Sequence, residues 1–235
     1  MKTIGIVGGI APASTVEYYR SIVALYRERT RDGSYPPILI NSIDLKRLLH
    51  LIGAERLADV TAYLLGELTR LARAGADVGL FASNTPHLVF EDLRRRSPIP
   101  LISIVEATCR ATQALGLDKV GLFGTRFTMQ ARFYPDVFSR QGIVVVAPDP
   151  DDQAYIHDMY MNELVHGVVR AETQERLVAI AGRLTQREGI QGLILGGTEL
   201  PLILRDPPDR KIPYLDTTRI HVEEAVAHML SEGTA

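Results

Sequence analysis

This chain has almost no sulfur nucleophile to spend. Its 235 residues hold a single cysteine, Cys109. An intrachain disulfide is therefore excluded, and a lone thiol fits a reducing, cytoplasmic setting. Charge of one sign is also lacking. There are 26 basic and 28 acidic residues, a formal net charge of -2. That balance gives no electrostatic reason to expect a nucleic-acid partner or an anionic membrane surface. No apolar run approaches the roughly 20 residues of a membrane span. Met1-Lys2-Thr3-Ile4-Gly5 runs directly into an apolar stretch and does not read as a signal peptide. The histidines His50, His157, His166, His221 and His228 lack spacings such as H-E-x-x-H, so no metal is expected. Gly5-x-x-Gly8-Gly9 departs from the G-x-G-x-x-G dinucleotide pattern.

What the chain has is alternation. Short apolar runs at 3–7, 38–43, 79–82, 101–104, 120–123, 143–146, 192–195 and 212–215 predict strands. Between them come helical periods. Val16, Tyr19, Ile22, Val23 and Tyr26 form one stripe, and Leu57, Val60, Leu64, Leu68 and Leu71 another. Helices are also predicted to about Arg96 and Leu115, over 127–140, 152–166 and 171–188, and from 217 to about 231. Asp206-Pro207-Pro208-Asp209 predicts a loop. Strand and helix in alternation imply parallel sheets. Lys2–Gly8 resembles Lys119–Gly124, a faint internal repeat. The predicted fold is therefore α/β, with two pseudo-symmetric doubly wound domains and the active site in the cleft between them. The expected boundaries are 1–100 plus 209–235 for the first domain and 101–208 for the second.

Two stretches share one design. In Gly79-Leu80-Phe81-Ala82-Ser83-Asn84-Thr85-Pro86-His87 a buried strand stops and a helix begins. Thr85 suits the N-cap and Pro86 the first helical position. Gly192-Leu193-Ile194-Leu195-Gly196-Gly197-Thr198-Glu199-Leu200-Pro201 repeats the plan. Both place polar residues at the carboxyl edge of a sheet, where open α/β sheets hold ligands and helix N-termini attract carboxylates. Such turns also occur in every parallel sheet without binding anything.

Gly5-Ile6-Val7-Gly8-Gly9, Asn84-Thr85-x-His87, Gly124-Thr125-x-x-Thr128 and Gly196-x-Thr198-Glu199 resemble, in order, motifs of the aspartate/glutamate racemase superfamily, in particular its broad-specificity amino-acid racemase branch. The resemblance spans nearly the whole chain. It implies a cofactor-independent isomerase acting at the α-carbon of a small, acidic amino acid, and often a homodimer. It implies that Gly9, Asn84, Thr85, Thr125, Thr128 and Thr198 contact the substrate. Read without it, Thr125 and Thr128 are a helix-capping pair.

The departures are at the chemistry. The superfamily usually carries cysteine immediately before Asn-Thr and immediately before Thr-Glu. Here those positions are Ser83 and Gly197. A thiol serves as acid or base because its pKa of about 8.5 can be moved into working range. A serine hydroxyl needs a neighbouring base, and glycine offers no side chain. Cys109 lies inside a predicted helix and reads as core. His87 is the substitute base, with a packing or capping role as the alternative. Glu199 is a candidate acid, or a structural hydrogen-bonding group. Lys46 and Arg47 either meet a distal carboxylate or begin a solvated helix. Three readings stay open: cysteines substituted away in an inactive homologue, other groups running a related reaction such as a lyase or one-base isomerisation, or binding of a small carboxylate without turnover.

Overall fold

The computed structural model describes residues 1–204 and 211–231. Its helices and strands alternate in chain order. Strand β1 (Ile4–Gly8) leads into helix α1 (Pro12–Thr30), then β2 (Ile38–Ser42), α2 (Leu45–Gly53), α3 (Leu57–Arg73) and β3 (Val78–Phe81). A 3-10 turn (Thr85–Val89) precedes α4 (Phe90–Arg96). The pattern then restarts with α5 (Ile104–Ala114), β4 (Lys119–Phe123), α6 (Arg126–Gln130), α7 (Phe133–Ser139) and β5 (Val144–Val146). It closes with α8 (Pro150–Asn162), α9 (Ala171–Glu188), β6 (Gly192–Leu195), α10 (Pro201–Leu204), β7 (Tyr214–Asp216) and α11 (Thr217–Leu230).

The chain divides into two compact units, one of Met1–Ile104 with the residues from His221 on, the other of Val105–Ile220. The first holds a parallel sheet ordered β2-β1-β3, extended by a parallel bridge between Gly79 and Leu101. The second holds a parallel sheet ordered β5-β4-β6-β7. The internal repeat is visible in this order, since β1, β2 and β3 occupy the places of β4, β5 and β6.

Strands β1, β3 and β6 are apolar or glycine and buried along their whole length, as strands covered on both faces are. Ile4, Ile6, Leu80, Tyr18, Ile22 and Val226 form the core of the first unit. Phe123, Leu193, Leu195, Ile156, Leu177 and Ile180 form that of the second. Each such side chain contributes about 1.5–3 kcal/mol by leaving water.

Several expectations are corrected. The last strand does not return to the first unit: Leu193, Ile194 and Leu195 pair with Tyr214, Leu215 and Asp216. An apolar run shows that a strand exists, not which sheet it joins. The run at 101–104 supplies one bridge residue, and Ile104 already begins α5. The helix expected over 127–140 is two helices, α6 and α7, interrupted at Ala131 and Arg132. Helix α2 begins where one reading of Lys46 and Arg47 put a helix start, and the Asp44 carboxylate caps it by accepting from the Lys46 N–H. On α1 the buried line is Thr15, Tyr18, Ile22 and Tyr26, leaving Val16 and Tyr19 exposed. The loop expected at 206–209 lies outside the described residues. No helix among the described residues is long and apolar enough to cross a membrane.

Candidate functional site

The carboxyl edge of the first sheet gathers three turns. Gly9 follows β1 with φ of +84°, and a β-carbon there would stand 2.4 Å from the Ile43 carbonyl oxygen. Only glycine lets the chain turn this close to the segment that follows β2. The Gly9 N–H donates to Thr15 Oγ1 at 2.8 Å. The Ser14 hydroxyl donates to the Ala82 carbonyl at 2.5 Å, tying the start of α1 to the residue before Ser83.

Ser83 and Asn84 are buried there, 7% and 4% exposed. Ser83 Oγ accepts from the Thr85 N–H at 3.3 Å. Thr85 opens the 3-10 turn rather than capping a helix, because α4 proper starts only at Phe90. Ser83, Asn84 and Thr85 therefore bring two hydroxyls and an amide to this edge, and no thiol.

His87 faces away from the base role expected of it. Its Nδ1 lies 3.2 Å from the Asn84 carbonyl oxygen and its Nε2 3.1 Å from Ser103 Oγ. A carbonyl only accepts, so Nδ1 carries the proton and Nε2 accepts from the serine hydroxyl. The ring stacks on Phe90 at 4.4 Å between centroids. Burial, and secondarily the neighbouring His221, pull its pKa down from 6.5 to about 3. His87 is thus a neutral residue that holds the Asn84 turn. Lys46 and Arg47 lie in the first turn of α2, with the Arg47 guanidinium 4.3 Å above the Tyr63 ring.

The second unit builds its edge from β4 and β6. Thr125 stands at the N-cap of α6, and its hydroxyl pairs with that of Thr128 at 3.3 Å instead of capping a backbone N–H. Thr128 is 1% exposed. Its methyl group would lie 3.0 Å or less from a β-carbon at either Gly124 or Gly196, so those glycines admit it between the two strand ends. The Gly196 N–H bonds to the Phe123 carbonyl at 2.7 Å and closes the edge.

Gly197, Thr198 and Glu199 come next. Glu199 is 3% exposed. Its Oε2 accepts the Thr198 hydroxyl at 2.6 Å and the Tyr160 hydroxyl as well. Its Oε1 is buried and without a hydrogen-bond partner among the described residues. Tyr160 comes from α8 and was not singled out from the sequence. It lies on the buried face with Ile156 and Met159, and a phenol among apolar neighbours was the one available hint. Its ring occupies the space beside Gly197. A β-carbon on residue 197 would be 2.5 Å from Tyr160 Cε2 and 3.0 Å from its Oη. Burial, followed by the Glu199 charge, raises the Tyr160 phenol well above its ordinary range.

Cys109, in the middle of α5, is 3% exposed, and burial pushes its thiol up. It is a core residue, as expected from its place in a helix. Among the described residues no group of three or more histidine, cysteine, aspartate or glutamate side chains could hold a metal ion.

Two parallel sheets repeated in one chain, each with a glycine- and threonine-bearing carboxyl edge, define an α/β protein of two similar halves. The chain belongs to the Asp/Glu/Hydantoin racemase family, whose model matches residues 7–225. It is 23% identical over 238 residues to the broad specificity amino-acid racemase of Bacillus subtilis, covering 97% of this chain and 98% of that one. A candidate Asp/Glu racemase from Yersinia pestis superposes with a TM-score of 0.90 at 30% identity, covering 98% and 100% of the two chains. An aspartate racemase homologue from Pyrococcus horikoshii gives 0.86 at 34% identity, with the same coverage.

Proposed function

We propose that the protein is an isomerase that moves the α-proton of a small amino acid, foremost an acidic one, with oxygen acids and bases in place of thiols. The observation that carries this reading is the Glu199 carboxylate. It is buried, its Oε2 is fixed by two hydroxyl donors and its Oε1 has no hydrogen-bond partner among the described residues, two residues beyond the position where the superfamily usually has a cysteine. A held carboxylate with an open acceptor is equipped to take and return a proton. The hydroxyl and amide groups of Ser83, Asn84 and Thr85 on the first edge, and of Thr125, Thr128 and Thr198 on the second, are suited to bind a substrate carboxylate. Gly9, whose turn lies against the segment after β2, belongs to the same proposed binding edge. The amino-acid substrate class is supported by the racemase relatives.

The reading includes a cofactor-independent reaction, a cytoplasmic location and a homodimer. Sedimentation at micromolar concentration checks the last, and a monomer there would count against it. A second reading, binding of a small carboxylate without turnover, is favoured by the absence of any side chain at Gly197.

The test is α-carbon exchange in heavy water, followed by proton NMR and chiral analysis over a panel of amino acids, with binding measured by calorimetry. Exchange or inversion of at least one amino acid is expected. Binding without exchange across the panel would establish the non-catalytic reading. A decarboxylated or eliminated product would identify a lyase.

A further inference from the structure

The position before Thr198 has no side chain, yet the space it would use is not empty. The Tyr160 ring fills it, with Cε2 2.5 Å and Oη 3.0 Å from where a β-carbon on residue 197 would stand. Real β-carbon contacts do not fall that short, so a side chain at 197 and the Tyr160 ring exclude one another. The glycine is what admits the phenol. The phenol in turn is bonded to the Glu199 carboxylate, and Thr198 donates to the same oxygen.

Resting on the α-proton-transfer reading above, we propose that Tyr160 is a further catalytic residue, a proton relay that takes the place of a side chain at Gly197 and works with Glu199 as its proton store. In the forward step the Cα–H bond breaks and its electron pair stays on the α-carbon, spread into the substrate carboxylate. The proton passes to Tyr160 Oη, and the proton already on Oη passes to Glu199 Oε2. The phenol ends neutral and Glu199 ends as the acid. The reverse step returns a proton, now exchanged with solvent, along the same line. Two features require this order. The Tyr160 phenol is held protonated by burial and by Glu199, so it cannot act as a standing base. A phenolate beside the Glu199 carboxylate would also place two negative charges in contact, which the concerted transfer avoids.

The experiment compares wild type, Tyr160→Phe, Tyr160→Ala and Tyr160→Ala with Gly197→Cys, each checked for fold by circular dichroism. Exchange of the α-proton is measured as kcat and KM across pH for the amino acid exchanged fastest. Tyr160→Phe keeps the ring and removes the proton, so kcat is expected to fall at least 100-fold with KM changed less than threefold. The double variant opens the space and supplies a thiol, and is expected to recover at least tenfold over Tyr160→Ala. Replacing Tyr160 with 3-fluorotyrosine, a stronger acid of nearly equal size, alters the driving force of the relayed proton transfer and is expected to change kcat at least threefold at constant pH; a purely structural phenol would leave kcat in place. Tyr160→Phe exchanging within twofold of wild type, or a kcat unmoved by fluorination, overturns the relay while leaving α-proton transfer intact. Absence of exchange by wild type across the panel overturns both.

Discussion

Acid titration offers a quantitative check on the first edge, because His87 is a histidine held neutral. Its ring is 5% exposed, its two nitrogens are engaged, and its pKa falls from 6.5 to about 3. The unfolded chain binds a proton at this residue near pH 6.5 and the folded chain does not. Stability from His87 is therefore complete above pH 6.5 and is lost progressively as pH falls from there toward about 3. The slope approaches about 1.4 kcal/mol per pH unit, so lowering the pH from 7.5 to 5 removes about 2 kcal/mol. The comparison is with His87→Gln, which does not titrate. Urea unfolding is followed by far-UV circular dichroism, since the chain has no tryptophan. The stability gap between wild type and variant is expected to narrow by about 2 kcal/mol between pH 7.5 and 5, because carboxylates common to both cancel. In parallel, the His87 imidazole signals in nitrogen-15 NMR should remain those of the neutral Nδ1–H tautomer at pH 5. A constant gap, or a ring that titrates near 6.5, would refute the buried neutral assignment and reopen His87 as a base.

Three further outcomes follow from the same geometry. Gly9→Ala forces a β-carbon onto the Ile43 carbonyl at a left-handed φ, and should destabilise by about 2 kcal/mol or more, seen as a Tm drop of about 4–8 °C; an unchanged Tm would show that the turn relaxes freely. Gly197→Ala should cost about 1–3 kcal/mol in wild type through overpacking against Tyr160, and much less in a Tyr160→Ala background; equal costs in both would mean that the ring is not what closes this space. Cys109 should react with a disulfide reagent far more slowly in the native protein than in denaturant, and Cys109→Ser should leave α-proton exchange unchanged. Loss of exchange in that variant, with the fold intact, would place the thiol in the chemistry.

Much of the architecture was legible because it is local. The strands at 38–42, 120–123 and 192–195 announced themselves as apolar runs, α3 as a regular stripe and α9 as a helical stretch over 171–188. The paired carboxyl edges were legible too, since Ser83-Asn84-Thr85 and Gly197-Thr198-Glu199 each end a buried strand. Where the pattern was short or its phase ambiguous, it misled. On α1, Val16 and Tyr19 fit a helical period but face outward, because the sheet selects the line through Tyr18 and Ile22. The run at 212–215 announced a strand without naming its partner.

By itself, then, the order of residues determined that the chain is α/β, that its sheets are parallel, and where the polar turns fall. Each of these depends on neighbours within a few positions, through periodicity, capping and the conformational limits of glycine and proline. Which sheet takes the last strand, which nitrogen of His87 carries a proton, and which side chain stands beside Gly197 were decided only by tertiary packing. Those outcomes join residues far apart in sequence, such as Tyr160 with Glu199 and His87 with Ser103, and depend on burial and distance that exist only after the helices have closed onto the sheets.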